Sequence, residues 1–294
     1  MSAPPRKITQ PGPRGEAIET AACKVTEIVL NLPAGIALSK SLPQELARHK
    51  SAGGYVRIRD VPVSALSYVI PDQSPDRDHV AWYSPTRYPA MPGRIVDAGI
   101  DCGQSDGQPF FHCHGILEGA DGVPLMGHFL IETCIPSAPV TVTALGFQHA
   151  RFERVGDPET RFDLFKPRAI LPPPDDFNGL LLRVGPNTDI CRAVADCCQN
   201  AGWQQANVHG VGSIIGAHFT DGRVMDSFAT EALVTAGHVD LEHATVDLEV
   251  CLVGLDGQHM CGALIEGKNP VLITAELVLV KPGTDPNAPS GANP

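Results

Sequence analysis

Three histidines between residues 112 and 128 are the side chains in this chain whose types and spacing could do chemistry. His112 and His114 are two apart, and His128 follows after Gly119-Ala120-Asp121-Gly122-Val123. Strand side chains alternate between faces, so an H-x-H pair in an extended segment projects both imidazoles to one side. Ala120-Asp121-Gly122 reads as a three-residue hairpin loop with glycine where the backbone turns left-handed. With that loop, paired residues have numbers summing to 242, which sets His128 opposite His114 on the same face. A slip of one residue would turn His128 to the other face. Three imidazoles around one point suit a divalent transition metal, zinc foremost, with a coordination position left open. Histidines engaged only in hydrogen bonding or subunit packing are the alternative.

A metal site needs a proton carrier and something to hold substrate. Glu118 shares strand parity with His112 and His114, and Glu132 shares it with His128, so these two are the candidate catalytic carboxylates. Ordinary surface glutamates are the plainer reading. Arg57 and Arg59 alternate onto one face of a predicted strand and form a candidate clamp for a carboxylate or phosphate. Solvent-facing arginines are equally consistent with the pattern. Ser64 and Ser213 lack a G-x-S-x-G context and read as turn-capping residues.

The elements that must position these groups occur twice. In the second half, residues 180–184 read as a strand, and residues 189–201 as an amphipathic helix capped by Thr188. Strands and turns follow through Ser213 to Asp221-Gly222. In the first half, residues 26–32 read as a strand, 41–51 as a helix and 55–70 as strands. The histidine hairpin itself is mirrored by residues 246–265, where Asp247, Glu249 and Ala263 stand at the places of His112, His114 and His128. The offset between copies is 149 at Ser64 and Ser213 but 135 at the hairpins. The 14 extra residues of the first copy are expected in residues 73–93, a Pro/Asp/Tyr-rich stretch that reads as a long loop. Such an insertion is either a wall of the site or decoration. Residues 1–19 read as a flexible arm, 171–178 as a proline-stiffened linker and 284–294 as a flexible tail, leaving domains at 20–170 and 179–283.

The net charge is −11, with no concentrated Lys/Arg stripe, which argues against nucleic acid as a partner. No apolar run approaches the roughly 20 residues of a membrane-spanning helix. The charged start, with no apolar core after it, reads as something other than a secretory leader. Nine scattered cysteines without a C-x-x-C pair fit neither a disulfide framework nor a zinc ribbon, so the expected compartment is the reducing cytoplasm.

Pro109-Phe110-Phe111-His112-Cys113-His114, Asp121-Gly122, Gly127-His128 and Val140-Thr141-Val142 resemble the plant-and-prokaryote conserved (PPC) domain family. Gly210-Val211-Gly212-Ser213 and Thr274-Ala275-Glu276-Leu277 resemble other stretches of the same pattern. The resemblance implies a domain of mainly antiparallel sheet with a packed helix, assembled as a homotrimer; with the internal repeat, the expectation is an α+β fold of two such domains in tandem, an arrangement that departs from the family. The resemblance also implies a metal held by His112, His114 and His128. The AT-hook core of the plant members, Arg-Gly-Arg-Pro, is absent. Together these readings lead to the expectation of a metal-dependent hydrolase or lyase acting on a small, carboxylated, anionic metabolite. A non-catalytic metal-binding or DNA-associated regulator is the alternative.

Overall fold

Long runs of alternating or continuous Val, Ile and Leu, broken by Gly, Asp and Pro, favour strands over helices. The computed structural model, which describes residues 6–283, is accordingly mostly antiparallel sheet with two eleven-residue helices. The first half comprises β1 (Ile18–Leu32), α1 (Leu38–Arg48), β2 (Gly53–Ala65), β3 (Tyr68–Val69), β4 (Pro71–Asp72), β5 (Trp82–Tyr83) and β6 (Gly93–Ser105). It continues with β7 (Gln108–Glu118), β8 (Pro124–Phe129), β9 (Ile135–Pro136), β10 (Val140–Gln148), β11 (Ala150–Gly156) and β12 (Asp163–Ala169). The second half comprises β13 (Gly179–Val184), α2 (Ile190–Asn200), β14 (Gln205–Ile214), β15 (Ala217–His218) and β16 (Val224–Met225). It ends with β17 (Thr230–Asp240), β18 (Thr245–Gly254), β19 (His259–Ala263) and β20 (Val271–Val280).

One hydrogen-bonded path runs β19-β18-β17-β14-β20-β13-β1-β10-β2-β6-β7-β8-β3. Read outward from the β13–β1 junction, the two arms present the same succession of elements. That junction is antiparallel, from Ile18 opposite Val184 to Cys23 opposite Gly179. The halves also share apolar contacts: the core of the first takes in Val211, Leu233, Cys251 and Val253 of the second.

Local differences from expectation have physical causes. Helix α1 begins at Leu38 because Leu38, Leu42 and Leu46, at i, i+4 and i+8, all bury against the sheet. The cap of α2 is Asp189, whose carboxylate accepts from Arg192 N at 3.0 Å, one residue beyond Thr188. Ser64 and Ser213 lie in strands β2 and β14 rather than in turns. Residues 6–17, read from sequence as part of an arm, carry hydrogen bonds to both halves. Asn187 bonds the Ile8 backbone through both its amide atoms at 2.8 Å, Gln10 donates to Leu272 O at 2.7 Å, and Gly12 N donates to Glu159 O at 2.9 Å. The 171–178 linker is tied back as well, since Asn178 bonds both backbone groups of Val25. The expected tail, 284–294, lies outside the described residues.

Two of the nine cysteines are paired, correcting the expectation from spacing. Cys251 and Cys261 face each other across β18 and β19 and form a disulfide. Among the described residues no helix is long and apolar enough to cross a membrane.

Candidate metal centre

The hairpin β7–β8 has the register its loop dictates. His114 pairs with His128, Glu118 with Pro124, and Gly122 adopts φ +71° in the turn. His112, His114 and His128 therefore converge, with ring centroids 4.6 to 5.3 Å apart. Glu231, from β17 of the second half, joins them. One donor atom from each of these four residues lies within 4.8 Å of the other three.

The surroundings fix which nitrogens can bind a cation. His114 Nδ1 is 2.8 Å from Ala232 O and donates to it, which turns Nε2 toward the cluster. His112 Nδ1 is 3.1 Å from Glu276 Oε2, leaving its Nε2 only 3.0 Å from His114 Nε2. Glu276 is itself oriented by Thr274 Oγ1, which donates to Oε1 at 3.0 Å. Glu231 Oε2 approaches His114 Nε2 to 2.7 Å. His128 Nδ1 is buried without a hydrogen-bond partner among the described residues, a costly state in a protein interior. Burial, together with the neighbouring His112 and His114, holds the His128 pKa well below the usual imidazole value. A neutral imidazole is the form that ligates. For His112, burial opposes protonation, but the charge and hydrogen bond of Glu276, with the charges of Glu231 and Asp101 behind them, outweigh it and raise the pKa. Beside it on β6, Asp101 faces His112 across the ladder and is fully buried. Burial first, then the Glu276 charge, pushes its carboxyl well above the ordinary range. Two imidazoles with oriented outer nitrogens, a third with an orphaned one, and a carboxylate fit a zinc-type ion.

The centre opens on a cavity of about 350 Å³. His112, His128, Glu231 and Glu276 form one side of it. The 73–93 insertion supplies Ala81, Trp82 and Tyr83, and the β11–β12 hairpin supplies Arg154 and Phe162 to Phe165. Tyr83 packs on His128 with ring centroids 5.2 Å apart. The insertion is thus a wall of the site.

Four other expected residues stand elsewhere. Glu118 has the right strand parity, yet four residues beyond His114 is roughly 13 Å along a strand, and its carboxylate pairs with Arg94 at 2.8 Å. Glu132 falls in a single 3-10 turn at Ile131–Thr133, where strand alternation has ended, and is exposed. Neither lines the cavity. Arg57 is buried, forms a two-pronged ion pair with Asp97, and donates to Val234 O at 2.7 Å, so it ties β2 to β17. Arg59, half exposed, reaches the same Asp97 at 3.5 Å. They are not a substrate clamp in this arrangement. Sequence reasoning missed Glu231, which no repeat of the histidine pattern marks. It noted Glu276 only as part of a motif.

The sequence profile of the Plants and Prokaryotes Conserved domain matches residues 173–281. Among solved structures, a metal-containing protein from Archaeoglobus fulgidus is 21% identical, covers 51% of this chain and 99% of its own, and superposes with a TM-score of 0.38. A candidate DNA-binding protein from Ralstonia eutropha JMP134 is 14% identical over 47% of this chain and 88% of its own, with a TM-score of 0.34. A plant- and prokaryote-conserved protein from Pyrococcus horikoshii is 12% identical over 49% of this chain and 94% of its own, with a TM-score of 0.36. No curated protein matches the chain. The chain is thus similar to the Plants and Prokaryotes Conserved domain family, and the profile match falls on the half that contributes Glu231 and Glu276 rather than the half that carries the histidines.

Proposed function

We propose that this protein is a metal-dependent enzyme, a hydrolase or lyase, acting on a small carboxylated metabolite at the His112–His114–His128–Glu231 cluster. The observation that carries the reading is the buried three-histidine, one-carboxylate donor set opening directly on a cavity. A purely structural ion would be enclosed, whereas catalytic sites keep an accessible position. His112, His114 and His128 would hold the ion through nitrogen, with Glu231 as fourth donor or as the base beside it. A bound divalent ion would supply Lewis acidity to a substrate oxygen. The chain's own contribution is orientation. Glu276 and Ala232 O fix two imidazoles, the insertion lines the cavity, and Glu231 is within reach to hold or move a proton. Glu231 takes the role that Glu118 and Glu132 were expected to fill.

The chain is read as two copies of one domain, supported by the matching succession of elements on either side of the β13–β1 junction. The first copy supplies the three imidazoles, and the second supplies Glu231 and Glu276. Assembly as a homotrimer in the cytoplasm completes the proposal. A net charge of −11 opposes a DNA-associated role.

Elemental analysis of protein grown with ample zinc tests the reading directly. One ion per chain is expected, lost in His128→Ala. Turnover on a panel of small carboxylic esters, amides and hydroxy acids should vanish in His114→Ala while the fold persists. Metal-free protein, or salt-dependent binding to generic duplex DNA without turnover, would sink the enzyme reading.

A further inference from the structure

Aromatic side chains are sparse in this chain but crowd one place. Of ten Phe, four Tyr and two Trp, the cavity beside the cluster takes four Phe, one Tyr and one Trp: Phe110, Phe111, Phe162, Phe165, Tyr83 and Trp82. Trp82, Tyr83 and Phe110 each leave more than a third of their surface exposed, and all three line this concave space. Exposed large rings grouped around a concavity mark a binding surface, since a solvated ring gains nothing from its neighbours.

The rings are held in place. Trp82 stacks on Phe162 at 5.4 Å between centroids, and His79 packs against both at 4.5 and 4.6 Å. Phe110 meets Phe165 edge-on at 5.6 Å, and Phe165 stacks on Phe152 at 5.7 Å. The Arg154 guanidinium lies 4.8 Å over the Phe110 ring and pairs with Asp163 at 3.1 Å. The insertion is pinned by Ser84 N donating to Ile70 O at 2.9 Å, by Arg87 N donating to Tyr68 O at 2.8 Å, and by the Asp78–Arg161 ion pair. Its Ala81 buries against Ile215, Ala229 and Leu272 of the second half. The second copy has Thr245 and Val246 at the places of Phe110 and Phe111 and no counterpart of the insertion, so the box belongs to the histidine copy alone.

We infer that the site takes an acid bearing an aromatic body, with the ring in the box of Trp82, Phe110, Phe162 and Phe165 and the acid head at the histidine cluster. This deepens the proposed function and rests on it. The cluster side of the cavity carries Glu231 and Glu276, which repel an anionic head until a divalent cation is bound. Metal must therefore load first, and the aromatic body sets the specificity. Trp82 and Phe162 are then specificity-determining residues.

Three arms of one binding study separate the claims. Zinc titration followed by calorimetry tests the cluster. Benzohydroxamate and acetohydroxamate, two chelators differing in the ring, are then titrated into zinc-loaded protein. The ring should tighten binding on the order of tenfold to a hundredfold, quench Trp82 fluorescence (absent in Trp82→Phe), and lose most of its advantage in Phe162→Ala. Without metal, benzohydroxamate should bind no more tightly than 4-fluorobenzyl alcohol, whose binding to metal-free protein is seen by fluorine NMR. Equal affinity for the two hydroxamates overturns the aromatic box while leaving the metal site standing. Failure of zinc to bind overturns the proposed function, and the fluorinated alcohol then decides the box by itself: no binding, or binding unchanged in Trp82→Ala and Phe162→Ala, refutes it.

Discussion

Replacing Glu276 by Gln probes the least obvious part of the centre, a carboxylate from one half holding an imidazole of the other. Glu276 is only 1% exposed, with Oε2 3.1 Å from His112 Nδ1 and Oε1 accepting from Thr274. Glutamine fills the same volume and keeps an acceptor, so what disappears is the charge behind the hydrogen bond. A charge-assisted bond exceeds a neutral one by about 1–2 kcal/mol. Because 1.36 kcal/mol is a factor of ten, zinc affinity should fall roughly five- to thirtyfold, with the stoichiometry unchanged. Isothermal titration calorimetry at neutral pH measures this. The proton ledger gives a second readout in metal-free protein. Burial opposes a charged His112, but Glu276, joined by Glu231 and Asp101, outweighs it and raises the pKa above the usual 6.5. A raised imidazole stabilises the fold fully below its unfolded pKa, and that contribution fades as pH rises through the folded value. Glu276→Gln should therefore lose most stability in mildly acidic solution and least above the folded pKa, and proton NMR should show the His112 titration moved down. Unchanged zinc affinity, together with an unmoved His112 titration, would refute the pairing of this carboxylate with this ring.

Removing the fourth donor by Glu231→Ala should weaken zinc more than Glu276→Gln does, and the same calorimetry ranks them. Asp157 accepts from Thr160 and faces Arg183 and Lys166. Burial would raise its pKa, but these three hold it below the ordinary carboxylate value. Its contribution is present above the unfolded pKa of about 3.9 and is lost as pH falls through the folded one. Asp157→Asn should cost about 2–4 kcal/mol at neutral pH by leaving buried Arg183 poorly compensated, and urea unfolding should show the gap closing below pH 4. At Gly99 an added methyl would overlap Tyr55 Oη and approach Leu233 Cδ1 of the second half to 2.8 Å. Gly99→Ala should therefore destabilise by about 1–3 kcal/mol in the same assay. Alkylation of denatured, unreduced protein should label seven of the nine cysteines, since Cys251 and Cys261 are joined.

The histidine hairpin was legible because its loop is short and its glycine unambiguous, so register and face followed by counting. The same counting carried to the mirrored hairpin sets Glu249 opposite Ala263, and Cys251 then falls opposite Cys261. The disulfide was thus readable from register even though cysteine spacing concealed it. Glu231 was not legible, because its approach to His114 depends on how two sheet faces pack, and no periodicity encodes that. Arg57 and Arg59 were correctly placed on one strand. Their role turned on Asp97 of β6, a cross-strand partner to which strand parity is blind. Glu118 and Glu132 show the limit of parity itself: it gives a face, but neither a distance nor the point where a strand ends. The insertion at 73–93 was located by the change of offset between the copies, while its inward turn depended on the pairing of β4 with β5.

The ladder between Ile18–Cys23 and Gly179–Val184 bears on any attempt to dissect the protein. β13 has β20 on one side, and on the other, among the described residues, β1 pairs with its backbone groups. A fragment spanning residues 173–281 would expose that apolar strand as a raw sheet margin, ready to recruit another molecule. Such a fragment should self-associate or precipitate unless residues 18–23 are supplied in trans, so β1 acts as a built-in selvedge for the half it does not belong to.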